Sequence, residues 1–189
     1  MKSQKKRHQI LARWKDWTDI GREHLVLKET ADGVFAESVI IADVDGESIA
    51  VRYRITCDPT WRVRRAEVGR VGDDGPRVLE SDGLGNWRDS AGIVQPQLSG
   101  AIDIDISVTP FTNTLPIRRL NLNKGDAAEI LVVYFQLPSL AISTDRQRYT
   151  RLAEGRYRYE SIDSDFTRDI EVDEHGLVIT YPGLFRRLM

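Results

Sequence analysis

The chain has a single cysteine, Cys57, in 189 residues, so no internal disulfide can form. That fits a reducing compartment. It has no apolar run approaching the roughly 18 residues of a membrane-spanning helix. The stretch Lys2–Arg13 never reaches the apolar core, about 7–15 residues long, of a secretory signal. These absences predict a cytoplasmic protein. Charge is nearly balanced, at −2 with charged residues at 30%, which argues against a polybasic nucleic-acid binder and an acidic tail alike. The basic cluster Lys2–Arg7 reads as a solvated start rather than a binding arm. The three histidines, His8, His24 and His175, lie far apart with no cysteine partner, and no metal or other cofactor is expected. Neither a phosphate-cradling Gly-rich loop followed by Lys-Ser or Lys-Thr nor a Gly-x-Ser-x-Gly elbow occurs, so the common NTPase and serine-hydrolase patterns are missing.

What is present is strand periodicity. Ile49, Val51, Tyr53, Ile55 and Cys57 alternate with Arg52, Arg54 and Thr56, as a half-buried strand requires, and Pro59 ends that ladder. On this reading Cys57 is a buried apolar filler rather than a reactive thiol. Trp61 and Val63 resume the alternation opposite Arg62 and Arg64, with a slip at Arg65-Ala66 that predicts a β-bulge. Asp-Gly pairs at Asp32-Gly33, Asp45-Gly46, Asp74-Gly75 and Asp82-Gly83 supply the positive φ of tight hairpin turns. Ile10, Ala12 and Trp14 start the first strand. Hairpins are expected over 23–42, 142–162 and 168–181, short strands over 77–80 and 86–88, a crossing loop over 90–99, and a docking tail over 184–189. With no tandem repeat or low-complexity linker, residues 1–189 read as a single domain.

The stretch Ala101 to Leu137 organises the chain. Ile102, Ile104, Ile106 and Val108 point one way, and Asp103, Asp105 and Ser107 the other. A single short helix follows at about 112–122, with Thr112 or Thr114 as its cap and Pro116 in the tolerant first turn. Leu115 and Leu122 fall on one side and Ile117 and Leu120 on the other. A helix so short and so apolar on opposed sides must be surrounded. Arg118 and Arg119 are then carried partly inside and need partners, of which Asp103 and Asp105 are the nearest in sequence. The run Glu129–Leu137 is apolar on both faces, which calls for cover by the helix or by a partner subunit.

The run from Asp103 to Leu120, with Tyr134-Phe-Gln-Leu-Pro-Ser-Leu140 behind it, resembles the signature of the putative glycolipid-binding family. The likeness extends to Tyr53-Arg54, Cys57-Asp58-Pro-Thr-Trp61-Arg62, Ser81-Asp-Gly-Leu-Gly-Asn-Trp87 and Leu98-Ser-Gly100. Downstream it takes in Arg148-Tyr149-Thr150, Tyr157-Arg-Tyr159, Gly176-Leu-Val178 and Tyr181-Pro182. The resemblance implies a mainly β spiral β-roll, a long antiparallel many-stranded sheet wrapped around one helix, usually as a homodimer, and distantly like the lipoprotein-localisation carriers.

It also implies a non-enzymatic binder of a glycolipid or similar amphiphile, with no nucleic-acid partner. Candidate ligand-binding residues are Arg54, Trp61, Arg62, Asp103, Asp105, Phe111, Arg118, Arg119 and Tyr149. The aromatic set Trp14, Trp17, Trp61, Trp87, Phe111, Phe135, Tyr149, Tyr157 and Tyr159 could line a chamber for acyl chains or pack as an ordinary core. Two alternatives stand beside the binder. One is an enzyme acting on a sugar or lipid headgroup, using Asp103 or Asp105 with Arg118. The other is a dimeric interaction module paired through an exposed sheet edge or Ile130–Leu137. For Asp103 and Asp105 the competing account is an outward ladder of opposite charges with Arg52, Arg54, Arg62 and Arg64.

Overall fold

The structure is a computed structural model that describes residues 8–188; the basic cluster Lys2–Arg7 lies outside them. Fourteen strands form one continuous sheet. Seven come before the helix region: β1 (His8–Asp16), β2 (Arg22–Thr30), β3 (Gly33–Val44), β4 (Glu47–Cys57), β5 (Val63–Arg70), β6 (Arg77–Ser81) and β7 (Trp87–Asp89). Then come β8 (Asp103–Ile106), the helix α1 (Thr114–Leu120), and the strands β9 (Ala127–Gln136), β10 (Ala141–Ala153), β11 (Arg156–Ser161), β12 (Thr167–Val172), β13 (Val178–Tyr181) and β14 (Phe185–Leu188). The spatial order runs from β7 back to β1, crosses to β14, and returns from β14 to β8. The segment expected as a docking tail is therefore the strand that joins the halves, with Trp14 opposite Arg187 and Tyr181 opposite Phe185.

Every pairing is antiparallel except β8 with β9, which is parallel and sets Asp105 against Tyr134. The chain between them has to return to the same end, and α1 makes that crossover. The sheet curls until the edge strand β8 meets β5. Trp14 ties the halves together by donating its indole N–H to the Val178 carbonyl at 2.7 Å.

The helix sits between two apolar clusters. Leu115 and Phe111 belong to the one built largely on β1–β5, with Trp14, Tyr53 and Phe135. Ile117, with Leu120 and Leu122 beside it, joins Tyr149, Tyr157, Tyr159 and Tyr181 in the other. Leu122 was expected on the Leu115 side. It departs because Asn121 takes a left-handed backbone, φ +44°, which ends the helix and cancels the 100° count beyond it. The expected threonine cap is also absent. A 3-10 turn over Phe111–Asn113 leads straight into α1, and neither it nor the helix has a side-chain cap. The two threonine hydroxyls serve tertiary contacts instead: Thr112 donates to Asp105 at 2.8 Å and Thr114 to the Gly176 carbonyl at 2.9 Å.

Other expectations shift by small amounts. The bulge in β5 falls at Arg64, since Thr56 pairs with Arg65 and Cys57 with Val63. The crossing loop over 90–99 carries a 3-10 turn at Pro96–Leu98 that drives Leu98 into the core. Strand β9 lies inside the sheet between β8 and β10. Its buried Val132, Val133 and Phe135 are thus covered by the chain itself, so the doubly apolar run needs no partner subunit. Among the described residues no helix is long and apolar enough to cross a membrane.

Candidate functional site

The aromatic set expected around a chamber mostly fills the interior. Trp14, Trp87, Phe111, Phe135 and Tyr149 are at most 2% exposed and pack in the two clusters. Trp17 is 44% exposed, on the surface. Two of the open hollows border α1, one at each of its ends.

At the C-terminal end is a mixed polar cavity of about 920 Å³. Trp61, Ile117, Arg118, Asn121, Arg151 and Tyr157 line it, with the acidic side chains of Glu154, Asp173 and Glu174. The Arg118 guanidinium lies over the Trp61 ring at 4.6 Å, bonds Glu29 at 3.1 Å, and reaches the His175 carbonyl at 3.0 Å. Trp61 carries φ +66°, a strained conformation for a bulky residue. The carboxylate of Asp58 holds that bend by accepting from the amides of Thr60 and Arg62, at 2.9 and 3.1 Å.

At the N-terminal end is a smaller cleft, about 300 Å³, at the lower limit of small-molecule sites. Its floor is the end of β8, Asp105 to Ser107, with Thr109 and Asn113. Its walls are Tyr134, Asp145, Tyr159, Phe166 and Tyr181, and Leu184 and Phe185 also line it. Tyr159, Phe166 and Tyr181 pack mainly edge to face, with centroids 6.0–6.4 Å apart. Asp105 accepts from the Thr112 hydroxyl at 2.8 Å and from the Gln147 amide at 2.9 Å, and the same Gln147 nitrogen reaches Asp145 at 3.0 Å. Burial pushes the Asp105 carboxyl above its ordinary value, and the nearby charge of Asp145 adds to the rise.

Tyr159 and Tyr181 are 7% and 4% exposed. Their hydroxyls have no hydrogen-bond partner among the described residues, and neither oxygen is fully enclosed. Both line the cleft, so these hydroxyls are open to it. Burial first, and then the Asp105 charge, raise both phenols. Tyr149 stands behind the cleft, its hydroxyl donating to Asn113 at 2.9 Å.

The sequence-predicted residues therefore divide. Trp61 and Arg118 meet in the larger cavity, and Asp105 enters the cleft with Tyr149 behind it. Asp103 does neither. It is wholly buried and held by Arg119, whose Nη2 lies 2.6 Å from Oδ2. Burial still raises its carboxyl against the pull of Arg119 and Arg62.

The outward charge ladder is thus overturned, because the edge strand β8 is rolled inside and its polar face meets α1 rather than solvent. Arg62 donates to the Gly83 carbonyl at 2.9 Å. Arg54 bonds Glu37 at 2.9 Å and lines, with Arg52, Glu67 and Arg70, a separate hollow of about 320 Å³ away from both ends of α1. Phe111 is fully buried against Tyr53, 6.1 Å between centroids, and no ligand reaches it. Asp145, Tyr134, Tyr159 and Tyr181 were missed as site residues. Tyr159 enters the sequence reading only as one of the aromatic residues that could line a chamber, and Tyr181 only through the resemblance, although their register in β11 and β13 places both on the concave face. Among the described residues no three His, Cys, Asp or Glu gather as a metal site.

A family model described as "Putative glycolipid-binding" matches residues 11–187. The crystal structure of a DUF1089 family protein from Pseudomonas aeruginosa is 39% identical, with a TM-score of 0.78, covering 88% of this chain and 92% of that one. No curated protein matches.

Proposed function

The chain belongs to the putative glycolipid-binding family, and from that premise we propose that it binds a glycolipid by its sugar headgroup, in the cleft at the N-terminal end of α1. The observation that carries this reading is the pair of tyrosines, Tyr159 and Tyr181, whose rings are largely buried while their hydroxyls open to the cleft beside Asp105 with no partner among the described residues. In the free protein water serves these hydroxyls at the cleft wall, and a sugar hydroxyl can take its place without leaving either oxygen unpaired. Aromatic walls with a few convergent polar groups also suit a polyhydroxylated ring, whose C–H face is apolar and whose rim is not.

The packed interior supports recognition of the headgroup rather than enclosure of the acyl chains. An acyl chain gains about 25 cal/mol per Å² only where apolar area is free to cover it, and Phe111, Leu115 and Phe135 already cover one another. The chains would stay in a micelle or bilayer while the sugar enters.

Binding of the protein to detergent micelles with and without a glycosyl diacylglycerol tests this reading. Retention by the glycosylated micelles, competed by the free methyl glycoside and lost in Tyr159→Phe/Tyr181→Phe, is the expected result. Equal retention by both micelles, or indifference to the double substitution, overturns it.

A further inference from the structure

Of the two carboxylates on β8, Asp103 has a guanidinium and Asp105 has none. Both donors to Asp105, Thr112 and Gln147, are neutral. The cleft contains a second carboxylate, Asp145, and among the described residues no lysine, arginine or histidine lines it. The Arg168 guanidinium, 4.6 Å from the Phe166 ring, is engaged by the carbonyls of Thr167 and Pro182. We propose that the cleft selects an amino sugar, whose ring ammonium meets Asp105 and Asp145 while its hydroxyls meet Tyr159 and Tyr181. This rests on the headgroup reading above and names the charge of the headgroup.

The geometry favours a cation in three ways. The Gln147 amide nitrogen lies 2.9 Å from Asp105 Oδ2 and 3.0 Å from Asp145 Oδ2, so the two acceptors already converge on one nitrogen. Each oxygen keeps a second lone pair for an ammonium, which has three donors. The walls contribute the faces and edges of Tyr159, Phe166 and Tyr181, and aromatic faces attract cations. A cation also relieves the two effects that raise the Asp105 carboxyl, its burial and the charge of Asp145. An anionic sugar meets the opposite: two carboxylates and no counter-charge. The larger cavity differs, since Arg118 and Arg151 line it.

Isothermal titration at pH 6 and low salt, with the full-length chain, tests the inference using methyl glucosaminide, methyl glucoside, glucuronate and cyclohexylamine. The amino sugar is expected to bind at least about tenfold more tightly than the neutral glycoside. Asp105→Asn should weaken the amino sugar at least about tenfold more than the neutral glycoside, erasing the preference. If Asp105→Asn does not fold, as judged by circular dichroism, Asp145→Asn should reduce the preference severalfold.

Equal affinity for the amino and neutral sugars overturns the charge inference and leaves the headgroup reading standing. Tighter binding of glucuronate also overturns it. Cyclohexylamine binding as tightly as the amino sugar overturns the role given to the hydroxyls. Failure of every probe overturns both readings.

Discussion

Arg119 grips Asp103 through three contacts, from Nε to both carboxylate oxygens and from Nη2 to Oδ2, at 2.6–3.1 Å, across the gap between α1 and β8. The acid is wholly buried and the base 13% exposed, so this pair sits where desolvation is costly and a missing partner costs more still. Arg119→Met should destabilise the fold by about 3–5 kcal/mol. Asp103→Asn/Arg119→Met should recover much of that loss, because no uncompensated charge is left. Urea unfolding of the two variants checks this, and a double substitution no better than the single one would show the carboxylate was not the liability.

The tyrosines of the second cluster separate by what their hydroxyls do. Tyr149 donates to Asn113 at 2.9 Å, so Tyr149→Phe strands a buried acceptor and should cost about 1–3 kcal/mol. Tyr159 and Tyr181 donate to nothing among the described residues and open to the cleft, so Phe at either position should leave stability unchanged within about 0.5 kcal/mol. Thermal unfolding of the three variants measures the contrast. Equal losses in all three would mean that the hydroxyls of Tyr159 and Tyr181 are not free.

How far the sequence disclosed this arrangement depends on the range of the interaction. Strict alternation from Ile49 to Cys57 placed the end of β4 correctly and its start two residues late, because one face meets the core and the other meets solvent. The Asp-Gly turns likewise gave the meander. Alternation misled at β8, where Asp103 and Asp105 follow the same pattern as a solvent-facing ladder, yet both faces are covered. Local pattern cannot tell water from a helix returning some ten residues later. Arg119 was legible as a base needing a nearby acid. The partner of Arg118 was not, since Glu29 is 89 residues away and only the curl of the sheet brings it near.

Glu23 is buried in a nest of hydroxyls. Ser38 and Tyr53 donate to its Oε1 at 2.8 and 2.7 Å, and Thr109 to its Oε2 at 2.7 Å. Burial outweighs those three bonds and pushes the carboxyl from 4.5 to about 7. A carboxyl with a raised pKa in the folded state holds its proton there after the unfolded chain has lost it. Its stabilising contribution is therefore complete below about pH 4.5 and is lost as pH rises through about 7. The loss is on the order of 3 kcal/mol, from 1.36 kcal/mol per pH unit. Asp103 and Asp105 shift in the same direction, so the slope of the whole protein is not diagnostic, but the difference from Glu23→Gln is. Urea unfolding of both proteins from pH 4.5 to 8 should show Glu23→Gln gaining on the natural chain as pH rises. A constant gap would mean Glu23 does not take up a proton on folding.

Gly85 adopts φ +96°, and a Cβ placed there would lie 2.8 Å from the Gly100 Cα. Its carbonyl accepts from the Gly100 amide at 3.0 Å, so the strand-to-strand turn and the incoming end of β8 touch backbone to backbone. Neither can yield cheaply, because Trp87 locks the same contact by donating to the Ala101 carbonyl at 2.7 Å. Gly85→Ala should cost more than about 1 kcal/mol, whereas Gly92→Ala, with φ +79° but open space around its Cβ, pays for the backbone strain alone. The difference in unfolding midpoint between the two variants isolates the close approach.

Trp61 and Arg118 join the loop after β4 to the helix that the sheet encloses. The guanidinium lies 4.6 Å from the ring and is half-buried, so the stacking should be worth about 1 kcal/mol, between the exposed and desolvated limits of such contacts. Arg118→Ala alone also removes the bonds to Glu29 and to the His175 carbonyl, and Trp61→Ala alone removes a large buried surface. Only the coupling energy from the Trp61→Ala/Arg118→Ala cycle isolates the stacking. Arg118→Lys keeps the charge but not the flat face or the forked donors, so it should retain little of that coupling. A coupling near zero in the alanine cycle, or full retention with lysine, would mean the guanidinium is held by Glu29 and the turn carbonyl, with the tryptophan merely beside it.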